Sequence, residues 1–180
     1  MKNIALFGGS FDPPHLAHLQ IVEALRDLDY IDKVVVMPTY LNPFKSKFHT
    51  EAGVRLEWLR DLFAGYADVE VSSFEVDQKT KVPTLKTVKH LKKTYKSIYL
   101  VIGADNLSSL KEWYGYDDLK ELVTFIVASR GDIEIPNNFI KLSVDQPISS
   151  TQLRENIDRK YLPPKIADKI LNYYKENNVK

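Results

Sequence analysis

Residues 7–18 read FGGSFDPPHLAH, and this stretch decides how the chain is read. Before it runs the strand-like segment NIALF (3–7), and after it Leu16, Leu19, Val22, Leu25 and Leu28 recur every three residues. A plain strand-to-helix turn needs neither paired glycines nor two histidines three apart. Gly8 and Gly9 lack a Cβ, so the backbone can turn sharply there and approach a ligand closely. Asp12, Pro13 and Pro14 predict a helix start, with the aspartate capping free amides and the prolines filling a first turn that needs no donor. His15 and His18 then share one side of the helix. That helix end carries about half a positive charge and unpaired N–H groups, which makes it an anion site. Taken singly, each histidine is as readily a packing or surface group. A metal pair would lack cysteine partners, and no H-E-x-x-H is present. The glycines match neither G-x-G-x-x-G nor the P-loop pattern. The residues alone therefore lead to an anion-binding α/β protein and stop there.

Further along, apolar runs recur at 33–38 (KVVVMP), 69–74 (VEVSSF), 97–103 (SIYLVIG) and 124–129 (TFIVAS). Nearly continuous Val, Ile, Leu and Phe suit strands buried on both faces of a parallel sheet. Between them lie helical patterns: Val54, Leu56, Trp58, Leu59 and Leu62, then Leu85, Val88 and Leu91. The alternation predicts an α/β fold, a doubly wound, mostly parallel sheet flanked by helices. We expect one domain over 1–180, with a C-terminal helical part from about 148 and a last helix near 163–177. Residues 130–147 read as an irregular excursion. Lys86, Lys89, Lys92, Lys93 and Lys96 read as the solvated face opposite Leu85, Val88 and Leu91. Tyr114 and Tyr116 read as packing groups.

Composition narrows the function. The 180 residues hold 25 Lys+Arg against 24 Asp+Glu and no cysteine. A nucleic-acid binder usually carries a positive excess, so that class is disfavoured. Disulfides and thiolate metal sites are excluded. No stretch approaches the roughly 18 apolar residues of a membrane span or forms a signal-peptide core, so a cytoplasmic protein is expected.

In open α/β sheets, ligands bind beyond the carboxyl ends of the strands. Those ends should carry Gly8 to His18, then Lys45 and Lys47, then Gly103 and Asp105, then Arg130. Such a set suits a phosphate chain and a ribose. A second informative stretch is ISSTQLRE (148–155), where Ser149, Ser150 and Thr151 are good helix caps, Glu155 suits the following turn and Arg154 lies about one turn in.

Together GGSFDPPHLAH and ISSTQLRE resemble the nucleotidyltransferase superfamily with the H-x-G-H and I-S-S-T-x-x-R signatures, and within it the bacterial nicotinate-nucleotide adenylyltransferase family. NPFK (42–45), IGADN (102–106), WYGYDDL (113–119) and FIVASR (125–130) match in order, so the resemblance covers essentially the whole chain. It implies a Rossmann-like nucleotidyltransferase fold that transfers the adenylyl group of ATP to nicotinic acid mononucleotide, giving deamido-NAD and pyrophosphate. It implies catalytic roles for His15, His18, Lys45 and Arg154. It implies ATP contacts from Gly8, Gly9, Ser10, Phe11, His15, His18, Gly103, Asp105, Ser149, Ser150 and Arg154. Thr84, Trp113, Lys45 and Arg130 would serve the mononucleotide. Mg²⁺ would be held mainly through ATP phosphates, with no protein metal site, and the protein would be a monomer or homodimer without nucleic-acid or membrane partners. Three departures stand out: Ala17 replaces the glycine of H-x-G-H, Phe44 replaces a histidine, and KVPT (81–84) replaces P-S-Y-T, keeping only Thr84 at its end. Rival readings are another acceptor or donor within the superfamily (nicotinamide mononucleotide, pantetheine phosphate, or a cytidylyl donor) and a non-catalytic nucleotide sensor. A nucleic-acid-binding module is the third.

Overall fold

A computed structural model describes residues 1–145 and 147–177. Six strands form one sheet: β1 (Asn3–Gly9), β2 (Lys33–Pro38), β3 (Val69–Val71), β4 (Ser97–Gly103), β5 (Thr124–Ala128) and β6 (Ile140–Leu142). Their order is β3-β2-β1-β4-β5-β6, and every neighbouring pair is parallel. The helices are α1 (Leu16–Arg26), α2 (Ala52–Phe63), α3 (Phe74–Asp77), α4 (Thr84–Leu91), α5 (Tyr116–Leu122), α6 (Ser150–Glu155) and α7 (Pro164–Asn177).

Alternate residues of the strands feed two cores, because side chains of a strand point to opposite faces. Ala5, Phe7, Val34, Val36, Val101 and Ile126 join one core with α1, α2 and α7. Ile4, Leu6, Val35, Met37, Ile98, Leu100, Ile102 and Val127 join the other with α4 and α5. Burial on both faces is why the sequence runs lack strict alternation. The lysine face of α4 is as expected: Lys86 and Lys89 are exposed while Leu85, Val88 and Leu91 are buried.

The connectivity places the site. The chain steps from β1 outward to β3, then returns to lay β4 against the other edge of β1. The order reverses between β1 and β4, so a crevice opens where their carboxyl ends diverge.

Several expectations change. The excursion at 130–147 contains the edge strand β6, which pairs Ile140 to Leu142 with Ile126 to Ala128. The expected third strand shrinks to Val69–Val71, and Phe74 instead opens α3. Tyr114 is 73% exposed rather than packed, while Tyr116 does pack beside Phe125. Gly115 holds the left-handed conformation (φ 66°) that starts α5, where a Cβ would collide with Leu85. Among the described residues, no helix is long and apolar enough to cross a membrane.

Candidate active site

The site is built outward from the turn after β1. The Thr39 amide donates to the Gly9 carbonyl at 2.9 Å, tying the ends of β1 and β2 together. Phe11 then takes φ 49°, unusual for a residue with a Cβ, and drives its ring into the core. That ring meets Phe7 edge-on at 5.3 Å and His18 at 4.8 Å.

Asp12 does not cap α1 as expected. Prolines force extended backbone on the residues before them, and α1 begins only at Leu16, with His15 in the capping position. The Asp12 carboxylate instead accepts the backbone amides of His49 (2.9 Å) and Thr50 (3.2 Å), just ahead of α2. It braces a neighbouring loop.

His15 and His18 stack with ring centroids 3.7 Å apart. The His15 backbone amide donates to His18 Nδ1 at 3.1 Å. A neutral imidazole that accepts at Nδ1 carries its proton on Nε2, so this bond assigns the tautomer and leaves Nε2–H as a donor on the far side of the ring. Both rings are held neutral. Burial, and then the charge of Arg130, lowers His15 to about 3. Burial, the His15 neighbour and Arg130 push His18 well below the usual imidazole range.

α6 closes over the same turn. Ser149 caps it, with its hydroxyl accepting the Gln152 amide at 3.2 Å while Gln152 Oε1 accepts the Ser149 amide at 3.0 Å. The reciprocal partner is therefore Gln152, and Glu155 stands exposed. Ser150 Oγ donates to the Pro13 carbonyl at 2.9 Å, and Arg154 donates to the Asp12 carbonyl at 2.5 Å. The two signature stretches, 142 residues apart at that last contact, are thus joined directly. Lys45 sits close by in the loop after β2. Its pKa is lowered by burial and by Arg154 and Arg55, with Asp12 opposing.

Arg55 of α2 was not singled out from sequence. It is 1% exposed, and its guanidinium donates to the carbonyls of Thr50 (2.9 Å), Ser10 (2.6 Å), Thr39 (2.8 Å) and Tyr40 (2.8 Å). One side chain therefore fixes the loops after β1 and β2 and the lead into α2. Its signal was available: Arg55 falls on the same helical face as Leu59 and Leu62, where a charge needs partners.

On the other side of Gly8 and Gly9 lies a cleft of about 190 Å³. Gly103 and Asn106 from the end of β4, Thr84 and Thr87 of α4, Glu75 of α3 and Trp113 line it. Gly103 leaves room for Asp105, whose Oδ1 would stand 2.5 Å from a Cβ there. Asp105 itself is exposed at the rim. Trp113 is half-buried, and its Nε1 is buried without a partner. Glu75, missed from sequence, is 6% exposed and accepts the Thr87 hydroxyl at 2.6 Å. Burial pushes its carboxyl up to about 7, with the Thr87 bond opposing. Lys45 and Arg130, expected near the mononucleotide, do not line this cleft. Lys45 lines a recess with Asp12, His49 and Arg55, and the exposed Arg130 acts on the two histidines.

Comparison with known proteins bears on this geometry. A family profile described as cytidylyltransferase-like matches residues 6–156. A protein of Sulfurimonas denitrificans named "Probable nicotinate-nucleotide adenylyltransferase" is 59% identical over 180 residues, covering 100% of this chain and 99% of its own. A relative of the same name from Campylobacter fetus is 47% identical, covering 99% of each. Among solved structures, Plasmodium falciparum nicotinic acid mononucleotide adenylyltransferase complexed with NaAD superposes with a TM-score of 0.79 at 24% identity, covering 100% of this chain and 99% of that one. At that identity the likeness bears on the fold.

Proposed function

This chain belongs to the cytidylyltransferase-like family, and we infer that it catalyses the reaction for which its relatives are named: transfer of the adenylyl group of ATP to nicotinic acid mononucleotide, yielding deamido-NAD and pyrophosphate in NAD biosynthesis. One observation carries this reading. A stacked, neutral histidine pair at a helix start and a half-buried indole lining a cleft lie on either side of the same glycine turn. A nucleotide phosphate chain suits the first and a pyridine ring the second.

The mononucleotide phosphate attacks the α-phosphorus in line. A new phosphorus–oxygen bond forms as the bond to the leaving pyrophosphate breaks, so no enzyme nucleophile is needed. The work left to the protein is positioning and stabilisation of charge. His18 Nε2–H donates to the α-phosphate, and His15 stacks behind it. Lys45, Arg130 and Arg154 offset the charge of the β- and γ-phosphates. Gly8, Gly9, Ser10 and Phe11 offer backbone to the nucleotide, while Gly103, Asp105, Ser149 and Ser150 flank its ribose and adenine. Trp113 stacks on the pyridine, and Thr84, first residue of α4, meets its carboxylate.

Among the described residues, no group of three or more His, Asp or Glu converges to hold a metal. Mg²⁺ would enter with ATP, held by phosphate oxygens and water as this ion commonly is, and would supply charge neutralisation on the leaving group. We place the protein in the cytoplasm, as a monomer or homodimer without nucleic-acid or membrane partners.

The test is pyrophosphate release with ATP and Mg²⁺, offering nicotinic acid mononucleotide, its amide analogue and pantetheine phosphate separately. Turnover led by the acid mononucleotide is expected. Turnover led by either other acceptor would replace this reading.

A further inference from the structure

Among the described side chains lining the cleft, Glu75 is the single ionisable one. The reading of the reaction gives it no task, yet it occupies the end assigned to an anionic ring. Its surroundings are uncharged: Leu6, Met37, Val82 and Leu100 line the same cleft, with the polar but neutral Asn42, Thr84 and Asn106. Its partner Thr87 is 1% exposed and stands three residues beyond Thr84, so both threonines lie on one side of α4.

Charged groups nearby turn elsewhere. Asp77 of α3 and Lys86 and Lys89 of α4 are exposed, the exposed Lys81 donates to the Pro43 carbonyl at 3.4 Å, and His90 stacks on the Phe74 ring at 3.9 Å. Arg55 of α2 is occupied by loop carbonyls. Among the described residues, no cationic side chain lines the cleft beside the Glu75 carboxyl.

We propose that Glu75 is a specificity-determining residue: uncharged, it admits the ring carboxylate of nicotinic acid mononucleotide beside it, and charged, it repels that carboxylate and favours the amide analogue. This rests on the reaction assigned above. Two carboxylates side by side in a cleft with no counter-charge disfavour being ionised together, so one of them takes up a proton. An amide N–H can instead donate to an ionised Glu75. Burial already brings the carboxyl to about 7, so the switch falls near neutral pH. If only the uncharged form accepts the acid substrate, the apparent affinity scales with the fraction uncharged, which falls about tenfold from pH 6 to pH 8.

The experiment measures kcat/KM for the acid and amide mononucleotides from pH 6 to 8.5 in the wild type, Glu75→Gln and Thr87→Val, with KM for ATP followed in parallel. Glu75→Gln keeps an acceptor for the Thr87 hydroxyl and cannot ionise, so it mimics the uncharged state. Titration of the substrate phosphate is common to all three proteins and cancels in ratios between them. We expect wild-type kcat/KM for the acid, divided by that of Glu75→Gln, to fall about tenfold between pH 6 and 8. The acid-to-amide preference should fall over the same range, with KM for ATP unchanged. Thr87→Val removes a bond that favours the ionised carboxyl, so the midpoint should move to higher pH, an effect a merely structural contact would not produce. Parallel profiles in wild type and Glu75→Gln would overturn the role of Glu75 alone. Failure of the wild type to turn over the acid mononucleotide at any pH would overturn the assigned reaction and this proposal together.

Discussion

At the end of the site proposed to hold phosphates, His15, His18, Lys45, Arg130 and Arg154 gather around one turn, whereas the end proposed to hold the pyridine has, among the described residues, Glu75 as its only ionisable lining residue. Burial acts on both ends but with opposite sense. It strips the proton's charge from two bases and confers a proton on one acid. The comparison teaches that suppressing a charge by burial does different jobs. A neutral His18 with a fixed tautomer is a directed donor, which in the proposed reaction would meet a phosphate without prior proton exchange. A neutral carboxyl beside an anionic ring is a tolerance that higher pH withdraws. The two ends also differ in what holds them. Loop carbonyls gripped by Arg55 frame the first, while packed strands and the start of α4 frame the second.

The largest effect separating the ends should come from His18→Ala. By analogy with removal of an oxyanion donor, kcat should fall about 10²–10³-fold with the fold intact. Steady-state kinetics alongside circular dichroism would check this, and retention of more than about a tenth of the rate would remove His18 from its role. Arg55→Leu comes next, because it leaves four loop carbonyls without their buried donor. A loss of about 3 kcal/mol is expected, or about 6–12 °C in Tm for a chain of this size. A calorimetric Tm within about 2 °C of wild type would show that the loops hold themselves.

Stability against pH sharpens the contrast. His15 takes up its proton at about 3 when folded and near 6.5 when unfolded. Its contribution is therefore complete above pH 6.5 and is lost as pH falls toward 3, about 2 kcal/mol of it by pH 5. Glu75 has the opposite slope: its folded pKa of about 7 lies above the ordinary value of 4.5, so its contribution is complete below 4.5 and is lost as pH rises through 7. Urea melts of His15→Gln and Glu75→Gln at pH 5, 6.5 and 8 should flatten the acid and alkaline limbs respectively. Identical limbs in both variants would contradict the assignment. The smallest effect expected is from Trp113→Ala, a rise of about tenfold in KM for the mononucleotide, worth about 1.4 kcal/mol of stacking, with KM for ATP nearly unchanged.

Much of the fold was legible because both-face burial writes itself as unbroken apolar runs: Val34 to Met37 and Ile98 to Ile102 could hardly be anything but central strands. β6 was not legible, since Ile140–Leu142 is too short to show a period and lies among turn residues. At the site, the glycine turn, the histidine pair and the Ser149 cap were readable as local chemistry. The position of Asp12 was not, because its partners are amides 37 and 38 residues away. Arg55 and Glu75 escaped for a related reason. A lone charge in an apolar pattern announces that it has partners without naming them, and those partners lie on other loops and helices. The departure Ala17 is explained by its place: it is buried on the side of α1 that packs into the core, where a methyl group is accommodated.

The central claim is that the phosphate end sets the rate and the pyridine end sets the acceptor, each acting without the other. A double-mutant cycle on kcat/KM for nicotinic acid mononucleotide, using His18→Ala, Trp113→Ala and the pair, tests it most directly. The account predicts that the two losses add to within about 0.5 kcal/mol, as for sites that share no partner. A coupling of more than about 1 kcal/mol would mean that the indole and the imidazole act on one and the same part of the substrate, and the division of the cleft would fail.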